Sequence, residues 1–315
     1  MEANLRGGDL RREAERHQVF VPTDNPFQRK ARLLQARWRE SQNLPIGEHG
    51  GRPLGSRIAM PYAQETLRNY LTEGIREVVR QEVVDPFKSR GKLFGKPRIF
   101  NDLLSSQPLA FNLFAELKRD LPLASRIFAA LTDDRVHQVT AIEFEHSPGR
   151  GDMRYTGDRS AFDVYVEYQS KNGKRGFVGI EVKYHEGLGE QPAPHRDRYD
   201  EIADLVGCFL AGQREFLMKK PLQQIWRDHL LACSLLSDRD AGFDDGLFVF
   251  LYPRENTRCA QAVVRYRECV TDTPTFTAWT LHEVAEAIAS ETNSSWIDAF
   301  RQRYLAFSTI GDEGA

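Results

Sequence analysis

Between residues 161 and 184 two alternating, strongly apolar segments, AFDVYVEYQ (161–169) and GFVGIEVKY (176–184), flank a short polar stretch that ends in Asn172-Gly173. Period-two alternation around an Asn-Gly pair is the pattern of a β-hairpin. Once the loop length is set, a hairpin dictates which side chains share a face. A two-residue Asn172-Gly173 turn pairs Lys171 with Lys174, sets Asp163 opposite Val182, and puts Asp163 and Glu181 on opposite faces. A three-residue Lys171-Asn172-Gly173 loop, with glycine in the left-handed position, pairs Ser170 with Lys174 and Asp163 with Glu181. The hydrophobic pattern is compatible with both and fits the second better. In that register Val164 faces Ile180 and Val166 faces Val178, a clean apolar surface, while the other surface carries Asp163, Glu181 and Lys183.

Directly opposed side chains have Cβ atoms about 4.5–5.5 Å apart. Two carboxylates that close repel unless positive charge lies between them, and a divalent cation answers that need. Asp163 and Glu181 are the candidate ligands, and the carbonyl of Val182, between Glu181 and Lys183, is a further one. Magnesium held by carboxylates, a carbonyl and waters can stabilise a phosphodiester's developing charge and produce hydroxide near neutral pH. Lys183, two residues beyond Glu181 on the same face, could orient the attacking water. In a bland reading Glu181 and Lys183 are simply the solvated face of an ordinary hairpin.

The rest of the chain surrounds this hairpin with helices. Residues 61–84 have helical periodicity, with Leu67, Leu71, Ile75, Val78 and Val79 on one face and Pro86 as the stop. Residues 107–131 read as helix interrupted near Pro122, 136–145 as a strand, and 198–218 with 221–237 as two helices split at Pro221. The wholly apolar run 246–252 fits a buried central strand. Residues 260–270 read as another strand, and 280–306 as helix with a break near Asn293. The expected fold class is α/β, a central mixed sheet flanked by helices, with a helical N-terminal extension. The expected divisions are a basic, loosely structured arm over 1–60 with a short helix near 26–40, a helical extension over 61–104, a core over 105–255, and a C-terminal strand and helices over 256–315.

Charge is uneven. Residues 1–100 hold 19 Lys+Arg against 12 Asp+Glu, a balance of +7, and the remainder 24 against 33, a balance of −9. A basic region beside an acidic body suits a phosphate-backbone partner, and a solvated arm would look the same. The loop 148–159, with Arg150, Arg154 and Arg159, could approach a phosphate backbone or serve only as a connector. Four cysteines (Cys208, Cys233, Cys259, Cys269) form no C-x-x-C pair and read as reduced core residues, suggesting neither a zinc site nor disulfides. His185 and Glu186 read as polar caps of the strand end. No apolar run reaches membrane-spanning length and the N-terminus has no signal-peptide core, so no membrane partner and a cytoplasmic location are expected.

Asp163, followed after a hairpin by Glu181-Val182-Lys183 on an apolar strand, resembles the active-site pattern of the PD-(D/E)XK nuclease superfamily. The order helix, three strands, helical stretch, apolar strand resembles that superfamily's αβββαβ core, a restriction-endonuclease-like fold, over roughly 105–255. Phe162 stands where the pattern's proline is named. The resemblance implies that Asp163 and Glu181 ligate Mg2+, with Mn2+ able to substitute, and that Lys183 is the catalytic lysine. It also implies a glutamate on the first core helix, for which Glu116 fits. A glutamine on the helix after the lysine strand is implied too, for which Gln224 and Gln223 are equally placed. The implied activity is phosphodiester hydrolysis in nucleic acid, double-stranded DNA in particular, with a homodimer where both strands are cut. The alternative is a catalytically inactive nucleic-acid- or protein-binding module on the same fold.

Overall fold

The computed structural model describes residues 7–189, 191–210 and 212–311. The chain divides into two compact units, residues 1–116 with 292–315 and residues 117–291. The first begins with α1 (Gly7–Arg16) and α2 (Pro26–Ser41), then an antiparallel pair β1 (Ile46–His49) and β2 (Arg52–Ile58). It continues through α3 (Tyr62–Thr66), α4 (Glu73–Val79) with a π-helical turn over Arg80–Val84, α5 (Arg98–Asn101), and α6 (Ser106–Arg119), which runs across the boundary.

Residues 1–60 were expected to be loose outside the helix near 26–40, and among the described residues they are ordered. Asn25 caps α2 in a reciprocal capping box with Gln28, and Pro26 occupies the first turn, where a missing N–H costs nothing. The buried guanidinium of Arg39 donates to the carbonyls of Gly55 (2.9 Å) and Leu44 (2.7 Å), tying the hairpin to α2. At Gly55 a Cβ would lie 2.1 Å from the His17 carbonyl oxygen, so the residue is glycine for close approach. The Gly- and Arg-rich composition that suggests a loose arm is therefore that of a hairpin held by arginines.

The second unit contains α7 (Leu121–Leu131), β3 (Gln138–His146), β4 (Phe162–Gln169), β5 (Arg175–Val182), α8 (Asp197–Val206), α9 (Arg214–Leu217), α10 (Gln223–Ser237), β6 (Asp245–Tyr252), α11 (Thr257–Arg267), β7 (Phe276–Thr280) and α12 (Leu281–Glu291). A single mixed sheet runs β3-β4-β5-β6-β7, antiparallel through β5 and parallel from β5 to β7. The central strand β5 is buried at every position after Arg175, because helices cover both faces of the sheet. α10 lies against β6 and packs with α8, while α7 lies against β3 and packs with α12. Phe177, Phe248 and Phe250 of the sheet share a core with Ile225, Trp226 and Leu230 of α10. Helix α13 (Ser295–Tyr304) returns to the first unit. There the fully buried Arg303 donates to Gln35 and Asn69 and stacks over Trp38 at 3.8 Å.

Other segments depart from expectation as well: the helix read over 61–84 is interrupted between α3 and α4, and the one read over 198–218 stops at Val206, with only Arg214–Leu217 helical beyond it. Residues 257–267 are helix α11, not a strand. Asn256 accepts from the Cys259 amide as an N-cap, and Cys259, Ala262, Val263 and Tyr266 bury one face at helical spacing. The strand that follows is β7, which begins nine residues after α11 ends. No helix among the described residues is long and apolar enough to cross a membrane.

Candidate active site

The loop between β4 and β5 has three residues. The Ser170 amide donates to Lys174 O (2.9 Å), and Gly173 sits in the left-handed region at φ 74. The ladder then pairs Val164 with Ile180 and Val166 with Val178. One step beyond, this register sets Asp163 across from Glu181, on the face covered by α10. The ladder ends there. The Val182 amide, which would otherwise meet β4 backbone, donates to Asp163 Oδ2 (2.8 Å). In a strand a residue's N–H and C=O leave on the same side, so the Val182 carbonyl is directed toward the Asp163 edge as well.

β3 adds a third carboxylate. A bulge between Val139 and Ala141 shifts its register by one residue. As a result Phe144 pairs with Val164 and His146 with Phe162, leaving Glu145 across from Asp163. Without the extra residue Phe144 would occupy that place. Glu145 has φ 52, a strained conformation for a non-glycine residue, and its Oε1 accepts from Arg150 Nη2 at 2.7 Å. Glu145, Asp163 and Glu181 thus form a row across three neighbouring strands. Burial and the Glu181 carboxylate push Asp163 well above the usual carboxylate range; Lys183 and the Val182 N–H oppose this, and Glu145 adds to it.

Lys183 and Glu181 are both buried, and Lys183 Nζ lies 2.8 Å from Glu181 Oε1. Burial alone would lower the ammonium's pKa, but Glu181, with Glu186 and Asp163, outweighs it and drives it above the ordinary range. The strand end is fixed from behind: the Lys183 amide donates to Leu251 O (2.8 Å), and Glu186 accepts from the Tyr184 amide (2.9 Å).

Helix α10 covers this face. Gln224 Nε2 donates to Glu181 Oε1 at 2.6 Å, whereas Gln223 bonds both ways with the Ala193 backbone. The structure therefore separates two glutamines that the sequence leaves equivalent. One turn on, Asp228 is buried with no hydrogen-bond partner on Oδ2, and it shares the electrostatic field of Glu181 and Lys183. Between them, Arg227 grips Asp158 at 2.7 Å, anchoring the 148–160 loop. In that loop Arg150 is engaged with Glu145 and the Arg159 carbonyl, Arg154 pairs with Asp152, and Arg159 is exposed. Glu116 belongs to the first unit, where it accepts from the Thr72 hydroxyl.

Asp163, Glu181, Lys183, Val182 and Gln224 therefore come together, and Glu145 and Asp228 join them unannounced. Glu145 could have been suspected from the E-x-E alternation at the end of the 136–145 strand. Asp228 could have been suspected from its position four residues after Gln224, on the same helix face.

A five-stranded mixed sheet with helices on both sides, carrying an acidic residue and an E-x-K strand end, defines the restriction-endonuclease-like class. A family model described as the PD-(D/E)XK nuclease superfamily matches residues 22–306, and the chain belongs to that superfamily. The match extends well beyond the 105–255 stretch in which the resemblance is legible. No curated protein and no solved structure matches the chain. Nucleases of this superfamily typically use divalent metals.

Proposed function

We propose that this chain is a magnesium-dependent deoxyribonuclease that hydrolyses phosphodiester bonds with water. The observation that carries the reading is the convergence of Asp163 and Glu181 from adjoining strands beside a buried Lys183 ammonium. The donor set is all oxygen, which suits a hard cation. Burial and the Glu181 carboxylate both push Asp163 up, and the repulsive part of that shift is what a divalent ion would relieve.

Asp163, Glu181 and the Val182 carbonyl would hold the ion. Bound there, magnesium supplies neutralisation of phosphate charge and a more acidic water. Lys183, on the same strand face, donates to a phosphate oxygen and orients the attacking water. Gln224 fixes Glu181 Oε1 and so the rotamer of that ligand. Glu116 remains a proposed contributor only through the superfamily resemblance. Arg154 and Arg159, exposed on the loop that α10 anchors, are proposed contacts to the phosphate backbone, and Arg150 supports Glu145. One site cuts one strand at a time, so paired cuts in a duplex call for two copies of the chain. The enzyme would act in the cytoplasm, where its four free thiols stay reduced.

The test is cleavage of supercoiled plasmid with Mg2+, Mn2+ or chelator, alongside single-stranded DNA and RNA. Asp163→Asn, Glu181→Gln and Lys183→Met, each checked for native circular dichroism, should each lose on the order of 100-fold or more in rate. Equal residual cleavage in wild type and all three variants means a contaminant or a pure binder, and the reading fails.

A further inference from the structure

Cys208, His229 and Cys233 lie apart from the carboxylate row, and the proposed hydrolysis does not use them. His229 and Cys233 are four residues apart on α10, so both project from one face of the helix. Cys208 follows Gly207, which caps α8 in the left-handed conformation and turns the chain back toward α10. The Cys208 backbone is fixed there: its carbonyl accepts from the Thr271 amide at 2.9 Å, and Phe209 bridges to Val270. Both sulfurs and a ring nitrogen of His229 lie within 4.8 Å of one another, and all three side chains are buried.

The imidazole is prepared for a ligand's role. Its Nδ1 lies 2.9 Å from the Tyr266 hydroxyl and its Nε2 2.8 Å from Thr275 Oγ1, so whichever nitrogen ligates, the other has an oxygen to receive its N–H. Phe209, Phe248 and Phe276 pack around the ring and exclude water. Two sulfurs and an imidazole in a dry pocket are a poor home for magnesium and a good one for a thiophilic ion.

We propose that Cys208, His229 and Cys233 form a binding site for a zinc-class ion, distinct from the carboxylate site, that ties the segment after α8 to α10. Binding releases the two thiol protons to solvent, so each ion bound liberates two protons. The sequence conceals this site because its ligands are spaced C-x20-H-x3-C and meet only when the chain turns back at Gly207.

The experiment uses the full, reduced, metal-free chain and Co2+ as a spectroscopic substitute, added both to folded protein and during refolding. Expected are a sulfur-to-cobalt charge-transfer band and tetrahedral visible bands saturating at one equivalent, bleached by Zn2+, and a zinc-dependent rise in the thermal midpoint. Cys208→Ser and Cys233→Ser should each lose the band and the rise, while Cys259→Ser and Cys269→Ser keep both. Absence of the band in wild type under both conditions overturns the proposal. So does a band that persists in Cys208→Ser and Cys233→Ser. The absorbance is independent of cleavage, so this site stands or falls separately from the nuclease reading.

Discussion

Asp163 lies between two other carboxylates, Glu145 on β3 and Glu181 on β5, with a backbone amide on its own oxygen. A carboxyl raised by burial and by such neighbours contributes its stabilisation below its unfolded pKa and loses it as pH rises through the folded value. Ionising this carboxyl therefore burdens the metal-free fold. Asp163→Asn keeps an oxygen for the Val182 amide and removes the charge. It should raise the metal-free thermal midpoint by roughly 2–4 °C, and Mg2+ should no longer raise it further. A midpoint lowered by that amount would show that Asp163 is not held in a repulsive array. Glu181 and Lys183 differ in kind, because each neutralises the other at 2.8 Å in a buried setting. Removing one strands the other, which is why the activity variants are near-isosteric.

Helix α10 is the element on which the second unit turns. Its successive faces hold Glu181 through Gln224, the 148–160 loop through Arg227, and the aromatic pocket through His229. Burial would push Asp158 up, but the Arg227 guanidinium, the Ser160 N–H and the Thr156 and Tyr199 hydroxyls outweigh it and bring it to about 2. A depressed carboxyl gives stability that is present above its unfolded pKa and lost as pH falls through the folded one, here between about 4 and about 2. Arg227→Met should cost about 3–5 kcal/mol in urea unfolding at pH 7, since it leaves a buried carboxylate without its cation. Wild type should lose stability more steeply than the variant between those pH values. A loss below about 1 kcal/mol would mean that the hydroxyl and amide partners suffice. The elements themselves were readable to different depths. The β4–β5 register follows from a three-residue loop, a local property, and so the Asp163–Glu181 juxtaposition was legible. The place of Glu145 depends on a bulge in β3 that no local pattern announces. α11 read as a strand because Val263, Val264 and Tyr266 favour extended chain, although Cys259, Ala262, Val263 and Tyr266 already carried the helical spacing.

At the scale of the whole chain the charge asymmetry acquires a different meaning from that of a loose basic arm. Many arginines of the first hundred residues are structural: Arg32 pairs with Asp24, Arg37 with Glu13, and Arg57 with Asp102, while Arg39 serves backbone carbonyls. Such pairs cannot be separated by composition from cations that face a partner, because both count as +1. What remains for a polyanion is the exposed remainder, and one part of the first unit gathers it. Arg68 is exposed beside a groove of 310 Å³ that the half-buried Trp38 also lines, while the Arg37 and Arg76 guanidiniums on its wall are engaged by Glu13 and Glu73. Cations beside aromatic rings suit a phosphate backbone with a base against the ring. If the first unit contributes phosphate contacts, full-length protein should bind duplex DNA with an affinity that falls as salt rises. Arg68→Ser should weaken binding at low salt and reduce the slope of log K against log[salt] by about 0.9, one released counterion. Measured by fluorescence anisotropy in chelator, so that no cleavage occurs, an unchanged slope would remove the groove from the binding surface and leave the Arg154 and Arg159 loop as the remaining candidate. Lys183→Met should by contrast change that slope less than Arg68→Ser, since Glu181 already neutralises the Lys183 ammonium and leaves little net charge to displace the counterions condensed on the DNA.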